Sequence, residues 1–140
     1  MKMTLKELNE KYLGLTSLGK LTLPTKLRYA ITCNIEDMQK HVERIEKMRK
    51  DLCERYCKKD DAGNPVMEES IINGVRRSNY SMDKKEEKEM NKEYEEFLET
   101  EEEVEIKKVK ISVLEECEEK ERYDLPNVAQ QLAMNFMLEE

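Results

Sequence analysis

The longest regular pattern of apolar and polar positions runs through residues 25–59. Apolar side chains recur there every three or four residues, which places them on one face of an α-helix. No glycine or proline interrupts the pattern, so it predicts one helix about 50 Å long. A stripe this narrow is typical of a coiled-coil-like seam covered by another helix. The seam consists of Ile31, Ile35, Met38, Val42, Ile45, Leu52 and Tyr56.

The chain before this helix, residues 1–24, predicts a short helix and then a short strand. Thr4 and Glu7 have the spacing of a capping box, in which each side chain accepts a hydrogen bond from the other residue's backbone N–H. Leu21 and Leu23 alternate with polar residues, as in a short extended segment. We expect this segment to end where the long helix begins.

The next segment, residues 60–80, has no clear period and is predicted to form a loop. Apolar residues then recur at helical spacing, so residues 81–100 predict a second helix. Asp83 and Glu86 have capping-box spacing at its start. This second helix is the natural partner for the last part of the long helix, and together they predict a long antiparallel helical hairpin.

Two further elements complete the predicted fold. Residues 103–114 alternate with period two and predict a strand, which would pair with the extended segment at Leu21–Leu23. The alternation changes phase at Lys107–Lys108, which indicates a bulge, a bend or a change of partner. Residues 125–138 predict a C-terminal helix. The chain is therefore predicted to be a single domain, residues 1–140, mainly α with a small β element (α+β).

Composition and charge favour a protein that binds other proteins. Charged residues make up 41% of the chain and aromatic residues only 6%, and a chain this polar often completes its burial by binding a partner or a second copy. Residues 83–105 carry twelve acidic side chains and four lysines, whereas residues 40–59 carry eight basic and four acidic ones. The net charge of −7 repels phosphate at long range, which disfavours nucleic acid as a ligand. We expect a homo-oligomer built along the seam.

The cysteines do not predict a metal site. Cys53 and Cys57 are four residues apart and share a helical face, but a closed zinc site needs four nitrogen or sulfur ligands. On a straight helix Cys33 and His41 lie about 30 Å and about 18 Å from Cys53, too far to join one ion. We therefore interpret the cysteine pair as part of a packing face, and we expect no metal and no cofactor.

No set of residues predicts catalysis. His41 is the single histidine, and its charged neighbours place it on a helix surface without a partner that would make it a general base. The glycine-rich loops that cradle phosphates are absent from the sequence. We therefore expect that the chain is not an enzyme.

The best candidate for ligand chemistry lies in the predicted loop. Arg76, Arg77 and Tyr80 are close in sequence and offer two guanidinium groups and a hydroxyl. Such groups bind phosphates or acidic protein surfaces. A solvated turn explains the same residues, so the sequence predicts at most a weak site for a small anionic ligand.

The expected location is the cytoplasm. The N-terminus lacks the apolar run of a secretory signal, and no apolar stretch is long enough to span a bilayer. Four cysteines in such a chain favour free thiols in a reducing compartment. We therefore expect a soluble protein without a membrane partner.

The order of features resembles that of small uncharacterised proteins encoded by phages and prophages of Gram-positive bacteria. The likeness rests on LKELNEKY, LTLPTKLRYAI, RYCKKDDAGNPV and EYEEFLETEEEVEIKKVKIS, followed by an amphipathic helix that contains Leu–Pro. It covers nearly the whole chain but transfers no catalytic residue. What the resemblance implies is a setting, the bacterial cytoplasm during phage infection.

Two functions fit this setting. The first is a non-enzymatic interaction protein that binds and inhibits a host antiviral-defence component or sequesters its nucleotide signal. The second is an accessory protein for virion assembly, such as a tail or head chaperone. In both, the partner is a host or phage protein.

Overall fold

The computed structural model describes all 140 residues, which divide into two compact units. The first unit comprises Met1–Glu43 and Glu101–Glu140, and the second comprises Arg44–Thr100. The chain is 54% helical and 17% strand. The prediction of a mainly α fold with a small β element is therefore confirmed, whereas the single-domain organisation stays a prediction.

Helix α2 (Thr25–Tyr56) passes from the first unit into the second. It begins after Pro24, whose carbonyl accepts a hydrogen bond from the Arg28 N–H at 2.9 Å. The predicted long helix is thus present, although it ends three residues before Lys59. It ends there because the Lys58 N–H donates to a carbonyl outside the helix, that of Ser81, at 2.8 Å.

Helix α1 (Leu5–Thr16) starts at the predicted capping box. The Glu7 N–H donates to Thr4 Oγ1 at 3.1 Å, and the Thr4 N–H donates to Glu7 Oε1 at 3.2 Å. A strand that the sequence did not predict, β1 (Lys2–Thr4), comes directly before α1. Three residues are too few to show a period, so pattern alone does not find such a strand.

The predicted strand at residues 21–23 is wrong. Thr22 exchanges hydrogen bonds with a single residue: its N–H donates to Asp124 Oδ2 at 2.7 Å, and the Asp124 N–H donates to the Thr22 carbonyl at 2.8 Å. One such pair fixes the segment without forming a ladder. The expected pairing with residues 103–114 is therefore absent as well.

The continuous strand predicted at residues 103–114 is also wrong. β4 (Glu101–Glu103) pairs antiparallel with β1, whereas β5 (Val109–Lys110) pairs parallel with a different strand, β6 (Leu138–Glu139). The phase change at Lys107–Lys108 is thus the change of partner that was one of its three interpretations. Helix α4 (Val113–Glu119) follows directly.

The C-terminal helix is shorter than the predicted span of residues 125–138. Helix α5 (Val128–Met134) begins at a capping box formed by Asn127 and Gln130. A single 3₁₀ turn at Asn135–Met137 follows and leads into β6. The helix ends early because its last residues are drawn into the β5–β6 pair.

In the second unit, helix α3 (Lys84–Leu98) lies antiparallel to the last turns of α2. Lys58 Nζ at the end of α2 lies 3.4 Å from the Asp83 carboxylate at the start of α3, and the Tyr56 hydroxyl donates to Glu93 at 2.6 Å. The predicted capping box at Asp83 is not formed, because that carboxylate faces Lys58 instead. Buried Leu52, Cys53 and Met90 fill the space between the helices.

The predicted loop at residues 60–80 is wrong over most of its length, because it contains a β-hairpin. β2 (Met67–Ile72) and β3 (Val75–Tyr80) pair antiparallel over six residues each, from Met67 opposite Tyr80 to Ile72 opposite Val75. The physical reason is the Asn73–Gly74 turn, a dipeptide that strongly favours a two-residue hairpin connection.

Most of the buried apolar side chains lie in the first unit, which holds fifteen of the twenty. The other five belong to the second unit: Ile45, Leu52, Cys53, Cys57 and Met90. The second unit therefore has a small core, and its hairpin contributes no fully buried strand residue.

Candidate functional site

The hairpin of the second unit, Met67–Tyr80, is shaped by its turn. Asn73 and Gly74 both have positive φ, 53° and 77°, as the two central residues of a type I′ turn require. The twist of this turn matches the right-handed twist of the flanking strands. The Asn-Gly dipeptide between Ile71–Ile72 and Val75, all β-branched, was the sequence signal that could have identified the hairpin.

The hairpin has almost no packing along its length. Among its twelve strand residues only Ser70 and Tyr80 are partly buried, and the others are exposed. No third strand joins the pair. Because an isolated two-stranded ribbon is only marginally stable in water, the strands depend on their turn and on their attachment at the base.

That attachment is a ring of three backbone hydrogen bonds, here called the backbone ring. The Lys58 N–H donates to the Ser81 carbonyl, the Ser81 N–H to the Val66 carbonyl, and the Val66 N–H to the Lys58 carbonyl, each at 2.8 Å. The Ser81 hydroxyl also donates to Glu68 at 2.9 Å. The ring joins the end of α2, the hairpin and the entry to α3, so one end of the hairpin is fixed while the other is free.

The free end carries three exposed aliphatic side chains, here called the hairpin tip. Ile71, Ile72 and Val75 are 71%, 51% and 56% exposed. Ile72 and Val75 are paired and share one face of the ribbon, whereas Ile71 points to the other face. The hairpin tip therefore presents exposed aliphatic surface on both faces of a barely packed ribbon, and such surface is typical of a contact region. The sequence pattern does not reveal this tip, because the exposure of its side chains depends on how the hairpin is attached.

The structure does not gather the predicted anion site at one point. Arg76 and Arg77 are consecutive in β3, so their side chains point to opposite faces of the ribbon. Tyr80 lies at the base of the hairpin, where its hydroxyl donates to Glu54 at 3.4 Å. Burial raises the pKa of Tyr80, and the charge of Glu54 adds a smaller effect in the same direction. Arg76 is 3.9 Å from Glu69. The three residues therefore do not form a pocket for a single small anion.

A shallow cavity of about 380 Å³ lies beside the base of the hairpin. Its charged lining consists of Arg49, Glu68 and Glu87, and Cys53 and Met90 form part of its apolar side. Burial raises the pKa of the Cys53 thiol, so it is protonated at neutral pH and a poor nucleophile. The cavity thus offers a mixed polar surface without an activated group.

The cysteine pair at the end of α2 lies in the small core of the second unit. Cys53 and Cys57 are both buried, and the Cys57 thiol donates to the Glu54 carbonyl at 3.3 Å. Four partly buried side chains pack around Leu52, Cys53 and Met90: those of Tyr56, Tyr80, Met82 and Tyr94. No group of three or more His, Cys, Asp or Glu side chains in the molecule is placed to hold a metal ion.

The predicted seam on α2 is largely covered within one chain. Ile31, Met38, Ile45 and Leu52 are buried, and Ile35, Val42 and Tyr56 are partly buried. A seam between copies needs an open apolar face. Because these residues are covered within the chain, they no longer indicate an oligomer. The homo-oligomer itself stays a prediction.

A second exposed apolar surface lies in the first unit, where α1 meets α5. Gly14 permits the close approach of these helices, because a Cβ atom there would lie 3.2 Å from the Cβ of Ala133. Leu13, Val128 and Leu132 are exposed on the same two helices. They provide an equal number of exposed apolar side chains with which the hairpin tip can be compared.

No protein-family model, curated protein sequence or solved structure is significantly similar to this chain. No helix is both long and apolar enough to cross a membrane.

Proposed function

We propose that this protein is a non-enzymatic interaction protein that binds a protein partner through its hairpin. The observation that carries the proposal is the hairpin tip, where Ile71, Ile72 and Val75 stay exposed at the free end of a ribbon fixed by the backbone ring. Burial of these side chains by a partner would stabilise both the contact and the ribbon.

The partner that fits best is a protein rather than a nucleotide. A nucleotide needs several donors that converge on its phosphates, whereas Arg76 and Arg77 point to opposite faces of the ribbon. The resemblance to phage-encoded proteins makes a host defence protein the first candidate partner. The surface then acts by occupying a site on that protein.

The test compares partner capture by two threonine variants expressed in a bacterial host. One replaces Ile71, Ile72 and Val75 with Thr, which keeps the β-branched shape but removes apolar surface. The matched control makes the same change at Leu13, Val128 and Leu132 in the first unit. We expect the hairpin variant to lose at least about tenfold of the affinity for the purified captured partner, while the control keeps it.

Equal binding by the hairpin variant and the wild type would overturn the proposal. Recovery of virion proteins alone, with loss in the hairpin variant, would instead favour the assembly-accessory function. Circular dichroism of both variants shows whether any loss of binding comes from unfolding.

A further inference from the structure

The pattern of hydrogen bonds in the hairpin determines which backbone groups are free. In a hairpin with a two-residue turn, the pair beside the turn exchanges both hydrogen bonds, and bonded pairs then alternate with non-bonded pairs. Ile72 and Val75 are the pair beside the turn. The N–H and C=O groups of Arg76 and Ser78 on β3, and of Ile71 and Glu69 on β2, therefore point outward.

Both edges of the ribbon are consequently open for a further strand. No third strand pairs with β2 or β3, and Arg76 and Ser78 are exposed. A row of outward N–H and C=O groups is a template for an added strand. The hairpin therefore has free backbone groups that suit β-strand addition.

The charges distinguish the two edges. β3 carries Arg76 and Arg77 and no acidic residue, whereas β2 carries Glu68 and Glu69. The two arginines are the only basic residues between Lys59 and Lys84. Because opposite charges attract when they face each other on neighbouring strands, a strand with carboxylates on both faces fits β3 and is repelled by β2.

We infer that the outer edge of β3 accepts an extended, acidic and aliphatic segment of a partner protein as a third strand. This inference rests on the proposed function and specifies how the hairpin recognises its partner. The main chain of the segment bonds to Arg76 and Ser78, its carboxylates face the two guanidinium groups, and its aliphatic residues cover the hairpin tip.

The probe is a pair of synthetic hexapeptides with blocked ends, Thr-Val-Glu-Glu-Val-Thr and Thr-Val-Lys-Lys-Val-Thr. Consecutive glutamates point to opposite faces, as the two arginines do. We expect the Glu peptide to shift the amide resonances of Arg76 and Ser78 and to slow their hydrogen exchange. The Lys peptide should leave both unchanged. Absence of binding by the Glu peptide, or equal binding by both peptides, would overturn the inference.

Two proline variants identify the edge. Ser78→Pro removes an outward N–H from the middle of β3, and Glu69→Pro removes the outward N–H directly opposite on β2. Neither change removes a hydrogen bond between the two strands, because both N–H groups point outward. Edge strands tolerate proline at such positions. We expect Ser78→Pro to weaken binding of the Glu peptide about fivefold to tenfold. Glu69→Pro should not weaken it, because this change also removes a carboxylate beside Arg76. An equal or reversed effect contradicts the inference.

A charge-reversal variant keeps the test decisive if either proline disturbs the hairpin. Arg76→Glu combined with Arg77→Glu should reverse the preference, so that the Lys peptide binds better than the Glu peptide. An unchanged preference would mean that the arginines do not select the segment, and the inference would fail.

Other occupants of the same surface give different outcomes. Binding to vesicles of phosphatidylcholine and phosphatidylserine that needs Arg76 and Arg77 but tolerates Ser78→Pro would assign the surface to a membrane and overturn the inference. If the protein self-associates, Ser78→Pro abolishes this association, and the peptide does not bind, the surface would be assigned to a second copy of the chain. That result would also overturn the inference. The threonine variants of the tip test the proposed function separately, so its failure is distinguishable from failure of the edge.

Discussion

The side chain of Asn34 is fully buried in the first unit and takes the place of a neighbouring strand for Lys107. Its Nδ2 donates to the Lys107 carbonyl at 3.0 Å, and its Oδ1 accepts from the Lys107 N–H at 2.7 Å. It therefore holds the chain at the point where β4 ends and β5 has not yet begun. A buried amide is a poor core residue unless both of its ends are bonded, and here both are.

We expect Asn34→Ala to lower the free energy of unfolding by about 1–3 kcal/mol, because it leaves both backbone groups of Lys107 without a partner. The measurement is urea unfolding followed by circular dichroism. The control is Thr32→Ala on the exposed side of the same helix, which should change stability by less than about 0.5 kcal/mol. Equal effects of the two variants would contradict the role assigned to Asn34.

The buried thiol of Cys53 makes the second unit sensitive to alkali. Burial raises its folded-state pKa above the ordinary value of 9.0, so the fold favours the neutral thiol. Its stabilising contribution is complete below the unfolded pKa and is lost as the pH rises through the folded pKa. Tyr80 and Tyr94 act in the same direction, because burial raises the pKa of each.

We therefore expect the melting temperature to fall between about pH 8 and about pH 10, and to fall less steeply in Cys53→Ala. The readout is thermal unfolding at several pH values, and the slope rather than the absolute stability is compared, since the alanine also leaves a cavity. Leu52→Ala, a buried neighbour in the same small core that carries no titratable group, is the control and should keep the wild-type slope. A Cys53 variant with the wild-type slope would show that the thiol does not contribute.

At the scale of elements, the sequence predicted the helices that bury a regular stripe. It missed the strands, whose formation depends on turns and on pairing partners. α1, α2 and α3 each bury one stripe, so their period is visible in the sequence. β2 and β3 bury almost nothing, so no alternation distinguishes them from a loop. Only Asn73–Gly74 marks the hairpin. The candidate site was predicted only in part. Charge identified Arg76 and Arg77 in the sequence, whereas the open edge of β3 is visible only once the strand pairing is known.

The residues before α4 show a different limit. Val109, Ile111 and Val113 alternate as in a strand, yet β5 ends at Lys110 because its partner β6 is only two residues long. The extent of a strand depends on a partner far away in sequence, and local periodicity does not contain that information.

The stability of the hairpin depends on its turn. Gly74 has φ of 77° and no atom within 4 Å of the position of an added Cβ, so Gly74→Ala costs backbone strain alone, about 1–2 kcal/mol. Because the hairpin packs so little, we expect local opening: hydrogen exchange of Ile72, Val75 and Arg77 should accelerate about fivefold to thirtyfold, while the melting temperature stays nearly constant.

Gly63→Ala is the matched control for this prediction. Gly63 has φ of 81° and equally free surroundings, but it lies in the loop before the hairpin. The variant should therefore leave exchange in β2 and β3 unchanged. Equal acceleration by both variants would mean that the hairpin does not open on its own.

At the scale of the whole molecule, apolar burial is distributed unevenly between the two units. The first holds fifteen of the twenty buried apolar residues, and the second holds five. Because apolar burial is the main stabilising contribution to folding, the second unit should open at a lower denaturant concentration. A weakly held unit that carries an exposed hairpin also suits binding, since a partner stabilises the form that it binds.

Hydrogen exchange in increasing urea, read by mass spectrometry, tests this difference. We expect peptides from residues 44–100 to lose protection at lower urea than those from α1 and α5. Asn34→Ala should shift only the first unit, whereas Tyr56→Phe, which removes the 2.6 Å bond to Glu93, should shift only the second, by about 1 kcal/mol. Simultaneous loss of protection in all peptides would instead support the single domain that the sequence predicts, because a cooperative domain opens as one.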